Sequence, residues 1–390
     1  MNGDVAPVQP LAIAERKARR RRPSVFQAWN AADNLPGEDR LVTLARHDLA
    51  WVTAQQLGLR WDSPHTGLAS GFDATTVEQG RITRRRLQEL NPNLILLVEI
   101  RYRDAGPGWL PPEHAWWKRD TAGRLVPGWD EGHHLQVDFA NPEFLTRLTA
   151  RAGAAVKSGI FEGVLLDWWQ DDEARLGLVR AVREAVGDEA AILVNTNDRT
   201  PPQTTPWVNG YFMECCVTDR PEKWRQIEQS LLWAEAHCRA PALNCLETWY
   251  HTSRADLHLM RATTALSLTH SDGYCLFSDP TPLPTPDHLH DWYPFWDRRL
   301  GEPRSPAGAG RCAGLTMSES WNIGTPLPDV KNRAAARAFA GGCVVYNPLD
   351  NPALVIDLDS ERRSVATGVL GRRHWLGPCD GDIFVEQTRP

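Results

Sequence analysis

Short apolar runs alternate with helical patterns between residues 23 and 279, and each run ends in polar or aromatic residues. The runs that have the length and side-chain content of strands are 23–30, 49–55, 94–102, 163–169, 191–197, 210–216, 242–249 and 273–279. Alternation of strands with helices is typical of parallel βαβ units, and eight such units close a barrel. We therefore predict an α/β fold, a (β/α)8 TIM barrel.

The chain is 390 residues long, which is enough for one barrel and a smaller module. A Pro- and Gly-rich joint, GEPRSPAGAG, begins at residue 301, and short strand-like runs separated by turns follow it. We predict three parts from this pattern. They are a basic flexible tail over 1–22, the barrel over 23–305 and a small antiparallel β module over 306–390.

Composition limits the partners. A formal net charge of -6 gives no attraction for nucleic acid or an anionic membrane, and no apolar stretch approaches the roughly 18 residues that span a bilayer. The eight cysteines lack C-x-x-C spacing, so we interpret them as reduced core residues of a cytoplasmic protein. The first 22 residues lack the apolar segment of a signal peptide. An export signal lost through a misplaced start codon stays open, and so does the oligomeric state.

Cofactor motifs are not evident. The sequence contains neither a Gly-rich nucleotide-binding loop nor a G-x-S-x-G elbow, so we predict no cofactor. The paired histidines at 133–134 lie in a long loop, and His288 and His290 lie in a Pro-rich segment. We interpret them as surface or core residues and predict no metal.

Acidic residues lie near the carboxyl ends of three of the predicted strands. Asp167, Glu214 and Glu247 lie at or near strand ends, on side chains that alternate with apolar ones. Because the carboxyl ends of parallel barrel strands form one rim, we expect the three acids to cluster there. Other side chains predicted near this rim are Glu99, Arg101, Asn195 and Asp279, together with the aromatic Trp168, Trp169, Trp249 and Tyr250.

Paired carboxylates at a barrel rim indicate cleavage of a glycosidic bond. That reaction needs one carboxylic acid to protonate the leaving oxygen and one carboxylate to attack the anomeric carbon or activate water. We predict Asp167 as nucleophile or base and Glu214 as acid, because apolar neighbours raise a carboxyl pKa. Glu247 and Glu99 are reserve catalytic acids. Tryptophan faces suit sugar rings, so we expect a carbohydrate substrate, stacked on Trp168, Trp169, Trp249 and Tyr250.

Other interpretations of these acids stay open. Asp167 could cap the next helix, and Glu214 or Glu247 could pair with Arg220 or Arg254 as structural ions. The main alternative function is a non-catalytic carbohydrate-binding barrel. A lyase or isomerase of sugar acids would use a Lys, a His or a metal at the rim, and no predicted strand end supplies one.

Two stretches resemble known families. An Asp-x-x-Asn-Pro segment (Asp138, Asn141, Pro142), a helix and then the strand from Gly163 to Asp167 resemble a pattern of glycoside hydrolase barrels. The later stretches FWDRRLGEPRSP and RAFAGGCVVYNPLDNPALVIDL resemble the end of hypothetical glycosyl hydrolase family fifteen, which has an Asn-Pro turn in a hairpin.

The resemblance implies roles for the same acids. Retaining α-glycosidase barrels place an aspartate nucleophile at the end of strand four and the acid/base at strand six, which correspond to Asp167 and Glu214. This chain departs from that pattern because the usual strand-six acid is Asp. Retaining β-glycosidases use an Asn-Glu pair on strand four and a Glu on strand seven. Glu247 matches only the second of these.

Overall fold

A computed structural model describes residues 11–280, 287–319 and 334–386. The strands are β1 (Phe26–Ala28), β2 (Leu49–Val52), β3 (Ile95–Glu99), β4 (Asp104–Ala105), β5 (Leu135–Gln136), β6 (Gly163–Leu166), β7 (Ala191–Asn195), β8 (Gly210–Cys215), β9 (Cys245–Trp249), β10 (Tyr274–Ser278), β11 (Leu315–Glu319), β12 (Ala335–Phe339), β13 (Gly342–Asn347), β14 (Leu354–Ser364), β15 (Leu370–Leu376) and β16 (Asp380–Glu386). The α-helices are α1 (Ile13–Arg19), α2 (Arg40–Ala45), α3 (Ala74–Leu90), α4 (Pro142–Lys157), α5 (Glu173–Val186), α6 (Pro221–His237) and α7 (Leu257–His270).

Eight parallel strands form the barrel in the order β1-β2-β3-β6-β7-β8-β9-β10. A parallel bridge between Val25 and Cys275 joins the first strand to the last and closes it. Each strand lies within one of the runs predicted from the sequence, so the predicted fold class is confirmed. Gly163 shows how tightly β6 and β7 approach, because a Cβ atom there would lie 2.0 Å from the carbonyl oxygen of Ala191.

Aromatic rings fill the barrel interior below the rim. Trp51 stacks on Phe26 with ring centroids 5.0 Å apart and meets Phe212 at 4.7 Å, and all three side chains are buried. Burying such large apolar surfaces is the main stabilising contribution to the core. The rings also form a rigid floor beneath the polar residues at the strand ends.

Helix caps start the helices that follow the site strands. Asn141 accepts hydrogen bonds from the backbone N–H groups of Glu143 and Phe144, and Pro142 is the first helical residue of α4. Asp172 caps α5 by accepting from the backbone N–H of Arg175. Asp172 is thus a structural acid at the start of α5.

The C-terminal strands form an antiparallel sheet in the order β11-β14-β16-β13-β12, with β15 paired to β14. This sheet confirms the predicted β module, while its boundary at residue 306 stays a prediction. Phe339, Val344, Tyr346 and Ile383 join the core that surrounds the barrel. The module therefore packs on the barrel through a shared apolar layer.

The N-terminal segment differs from its prediction. Residues 13–19 form α1, and the guanidinium of Arg16 donates hydrogen bonds to the carbonyls of Pro92 and Leu94 at 3.1 and 2.9 Å. Arg16, Arg20 and Arg22 are buried. The prediction of a flexible tail is wrong for residues 11–22, because their arginines bond backbone and side-chain oxygens of the folded protein. Residues 1–10 lie outside the described part of the chain.

Across the described ranges, no helix has both the length and the apolar character that a bilayer crossing requires.

Candidate active site

A cavity of about 530 Å³ opens at the carboxyl ends of the barrel strands. Its lining residues are Trp29, Asn30, Thr53, Gln56, Glu99, Arg101, Trp129, Glu131, Asp167, Trp168, Asn195, Asn197, Glu214, Trp249, Asp287 and His288. The two acids predicted to do chemistry, Asp167 and Glu214, both face it. Polar groups from most strands of the barrel therefore meet at one point.

One side-chain amide connects the two acids. The Asn195 Nδ2 group donates to Asp167 Oδ1 at 2.8 Å and to Glu214 Oε2 at 2.7 Å. The backbone N–H of Asn197 donates to Asn195 Oδ1 at 3.1 Å, which fixes which end of the amide is the donor. Both amide hydrogens therefore point at carboxylates, and Asn195 sets the spacing of the pair.

Asp167 keeps one oxygen available. Its Oδ1 accepts from Asn195 and from the backbone N–H of Trp168 at 2.9 Å, whereas no donor among the described residues reaches Oδ2. Burial raises the pKa of Asp167, and the hydrogen bond from Asn195 and the charge of Arg101 oppose this rise. This second oxygen is thus poorly solvated and has no hydrogen-bond donor among the described residues.

Glu214 has the properties of a proton donor at neutral pH. Burial, followed by the charges of Glu247 and Asp167, raises the pKa of Glu214 to about 7 even though His288 opposes this rise. A carboxyl group with this pKa exchanges protons readily near pH 7.

Glu247 lies behind the cavity wall. It is completely buried, does not line the cavity and accepts from His288 Nδ1 at 2.9 and 3.1 Å as well as from the hydroxyl of Ser278. Burial disfavours charge on His288, but Glu247, Glu214 and Asp287 together raise the pKa of His288 to about 10. The Glu247 carboxylate therefore stabilises the protonated form of His288. The Nε2 atom of His288 lies 4.0 Å from Glu214 Oε1.

One group among the described residues could hold a metal ion. Glu214, Glu247 and His288 each offer a ligand atom, and these atoms lie within 4.8 Å of one another. A metal would need the Nδ1 lone pair or the Nε2 lone pair of a neutral His288. The Nδ1 atom of His288 contacts both Glu247 oxygens, and the surrounding carboxylates raise the pKa of His288 to about 10, so both ring nitrogens carry protons at neutral pH. The residues therefore suit an ion pair better than a metal.

Glu99 and Arg101, both predicted near the rim, form an ion pair at the cavity wall. Arg101 Nε lies 3.2 Å from Glu99 Oε1, and Trp29 Nε1 donates to Glu99 Oε2 at 3.0 Å. Arg101 also contacts His134 Nδ1 at 3.0 Å, which attaches the long loop after β3 to the barrel rim. Trp129 and Glu131 of that loop reach the cavity.

Neighbouring tryptophans have opposite orientations. Trp168 has a positive φ of 55°, lines the cavity and is 42% exposed, whereas Trp169 is 1% exposed and donates its Nε1 hydrogen to Thr204 Oγ1 at 2.9 Å. The predicted substrate contact of Trp169 is therefore wrong. The left-handed turn at Trp168 directs one ring outward and the next into the core. Trp29, Asn197 and His288 also have positive φ, which indicates backbone strain concentrated around the cavity.

Two further predicted contacts lie elsewhere. Asp279 is buried in an ion pair with Arg254, which also pairs with Asp33 and Asp291. It is therefore a structural acid and does not line the cavity. Tyr250 is partly buried and does not line it either, while Trp249 does.

His288 is a site residue that the sequence analysis does not identify. It is buried, in agreement with the core position that the sequence allows, but it is also part of the cavity wall. Its segment follows β10, the last barrel strand, where the returning chain crosses the rim. A polar residue soon after a barrel strand was the signal that could have identified it.

No protein-family model and no curated protein sequence matches the chain, so the resemblance to hypothetical glycosyl hydrolase family fifteen is not supported. Solved structures do match its fold. A maltogenic α-amylase from Thermotoga neapolitana is 11% identical, with 94% of this chain and 99% of that chain covered and a TM-score of 0.54. An α-amylase from Lactobacillus plantarum is 9% identical, with 95% and 99% covered and a TM-score of 0.53. An α-amylase from Geobacillus thermoleovorans, complexed with acarbose, is 12% identical, with 95% and 100% covered and a TM-score of 0.50. This chain shares their fold. At these identities the likeness concerns the barrel and the C-terminal sheet, not the reaction.

Proposed function

We propose that the protein is a metal-independent glycoside hydrolase that acts with retention of configuration through Asp167 and Glu214. The observation behind this proposal is the Asn195 amide, which holds two carboxyl groups of different protonation behaviour side by side in one cavity. The shared fold with α-amylases supports the same reaction class by analogy.

The spacing of the carboxyl groups favours retention. The two hydrogen bonds from Asn195 limit the separation of Asp167 Oδ1 and Glu214 Oε2 to about 5.5 Å, and retaining enzymes have separations of about 5–5.5 Å. Inverting enzymes need room for a water between the acids. The shared amide leaves no such room between these two oxygens.

The reaction follows from the free atoms of the pair. Asp167 Oδ2 attacks the anomeric carbon while the bond from that carbon to the glycosidic oxygen breaks and Glu214 donates its proton to that oxygen. Glu214, now ionised, removes a proton from water. That water attacks the anomeric carbon and releases Asp167.

Positioning residues support both steps. Asn195 donates to both carboxylates, and the cationic His288, held by Glu247, stabilises Glu214 while that side chain is ionised. This assigns Glu247 to positioning and not to the catalytic role predicted for it. Trp168 and Trp249 offer faces or an N–H group to the sugar, and the buried Nε1 of Trp249 has no acceptor among the described residues.

The test is release of sugar from a panel of α- and β-linked glycans by the wild-type protein and by Asp167→Asn and Glu214→Gln. The exposed helix acid Glu173, as Glu173→Gln, is the matched control. We expect hydrolysis by the wild type and the control, and loss in both site variants. Proton NMR of the first product should show the anomer of the substrate. Binding of a glycan without release by the wild type would instead support the carbohydrate-binding barrel.

A further inference from the structure

The cavity of the acid pair continues beyond Arg101. A second cavity, of about 420 Å³, shares Thr53, Glu99 and Arg101 with it and is lined further out by Trp109 and Trp61. A third cavity, of about 780 Å³, shares Trp61 with the second. Each cavity shares lining residues with the next, so the three extend from the acid pair toward Trp61, and we call them together the groove. The proposed reaction uses only the first.

One face of the Trp109 ring packs against Arg151. The Arg151 guanidinium lies 5.0 Å from its centroid, and Arg151 Nη1 donates to the carbonyls of Thr66 and Gly67 at 2.9 and 2.7 Å. A Cβ atom at Gly67 would lie 2.6 Å from the Trp109 ring, so residue 67 has to be a glycine for this contact. Burial lowers the pKa of Arg151 to about 9, and the ring and carbonyls compensate part of its charge.

The Trp61 ring is backed in the same way. It stacks on Phe72 with centroids 4.4 Å apart and an interplanar angle of 28°. An antiparallel bridge between these two residues fixes their backbones as well. A hydrogen bond between His65 Nδ1 and the carbonyl of Gly108 at 3.0 Å ties the Trp61 and Trp109 loops together. Each ring therefore has one face supported by protein, and both rings line the groove.

The order of the barrel strands gives the groove a direction. Asp167 follows β6, which lies between β3 with Glu99 and β7 with Asn195, and Glu214 lies one strand further on. The leaving oxygen has to lie at Glu214 and the anomeric carbon at Asp167. The rest of the sugar then extends from Asp167 toward Glu99, where the groove begins.

We propose that the groove binds a glycan chain on the glycone side of the cleaved bond, with the second and third sugars on Trp109 and Trp61. This inference rests on the proposed function. It makes the substrate an oligosaccharide whose leaving group can be small. Flat supported rings beside polar side chains are what sugar units need, because sugars combine apolar faces with hydroxyl rims.

The test uses aryl glycosides with one, two and three sugars of the linkage that the wild type cleaves. We expect kcat/KM to rise about tenfold with the second sugar and again with the third. Trp109→Ala should remove the first gain and Trp61→Ala the second, measured as the ratio to the one-sugar substrate. Trp61→Phe, which keeps a planar ring, should restore most of it. Trp375→Ala, on the exposed edge of the C-terminal sheet, is the matched control.

The outcomes separate this inference from the proposed function. Cleavage of the one-sugar substrate with no gain from longer chains would overturn the groove and leave the hydrolase intact. If the wild type cleaves none of the substrates, calorimetry measures the binding of unmodified oligosaccharides to Asp167→Asn instead. Affinity that rises with chain length and falls in Trp61→Ala supports the groove, and affinity independent of length contradicts it.

Discussion

Strand β6 has a carboxylate at each end, and the two carboxylates have different hydrogen-bond partners. Glu162, just before the strand, accepts from Arg84 Nη2 at 2.7 Å and from the backbone N–H of Leu96 at 2.8 Å, with Arg16 Nη2 at 3.5 Å. Asp167, just after it, has only neutral donors within hydrogen-bond distance among the described residues. Buried cations neutralise the first end, whereas the second, the proposed reactive end, keeps one carboxylate oxygen without a donor among the described residues.

The presence or absence of arginine partners distinguishes the structural acids from the proposed catalytic acids better than burial does. Arginines that pair with a buried carboxylate offset its negative charge and lower the free energy of the folded state. They also occupy the carboxylate oxygens, so the group is not available for chemistry. Leaving it with an amide and a backbone N–H keeps an acceptor free, at a cost in stability. Asp279, with Arg254, belongs to the first kind although it lies near the rim.

The largest effect is expected at the reactive end. Asp167→Asn should lower kcat on the order of 10⁴-fold, because the amide cannot attack the anomeric carbon. It should not lower the melting temperature, since burial raises the pKa of Asp167 and its ionisation disfavours the folded state. Steady-state kinetics and thermal denaturation measure the two effects. A variant with near wild-type kcat would contradict the assignment.

The neutralised end should respond in the opposite way. Glu162→Gln leaves Arg84 and Arg16, both buried, without their carboxylate and should lower the free energy of unfolding by about 3 kcal/mol. Activity per folded molecule should persist. Urea unfolding and active-site-normalised kinetics check this prediction. A Glu162→Gln protein with wild-type stability and no activity would contradict the structural role of Glu162.

Asn195 tests whether the spacing of the reactive acids matters. Asn195→Ala removes the donor that both carboxylates share and should lower kcat about 10²-fold, less than loss of either acid. KM for a good substrate should change less than kcat. An unchanged kcat would show that the amide does not organise the pair.

The raised pKa of Glu214 should make both stability and activity depend on pH. Its pKa in the folded protein is about 7, against an ordinary value of 4.5, so the folded state binds the proton more tightly. Its contribution to stability is therefore present below pH 4.5 and lost as pH rises through about 7. Glu214→Gln should raise the melting temperature at pH 8 relative to wild type and change it little at pH 4. The wild-type kcat/KM should fall as pH rises through about 7, because the acid must be protonated.

The barrel was predictable because each strand is a continuous apolar run that ends in polar residues, a pattern set by local neighbours. Asp167 and Glu214 were predictable for the same reason, since both lie at the ends of such runs. Trp169 was not, because its inward orientation depends on one left-handed residue before it. His288 was not, because its partner Glu247 lies 41 residues earlier and only the fold brings them together.

We propose that Asp167 and Glu214 cleave glycosidic bonds by way of a covalent intermediate on Asp167. The direct measurement is peptide mass mapping after incubation with a 2-deoxy-2-fluoro aryl glycoside of the sugar that the panel identifies. We expect one glycosyl group per molecule, on the peptide that contains Asp167, and no label in Asp167→Asn. Turnover of the parent substrate with the label on another residue, or with an inverted product and no label, would contradict it.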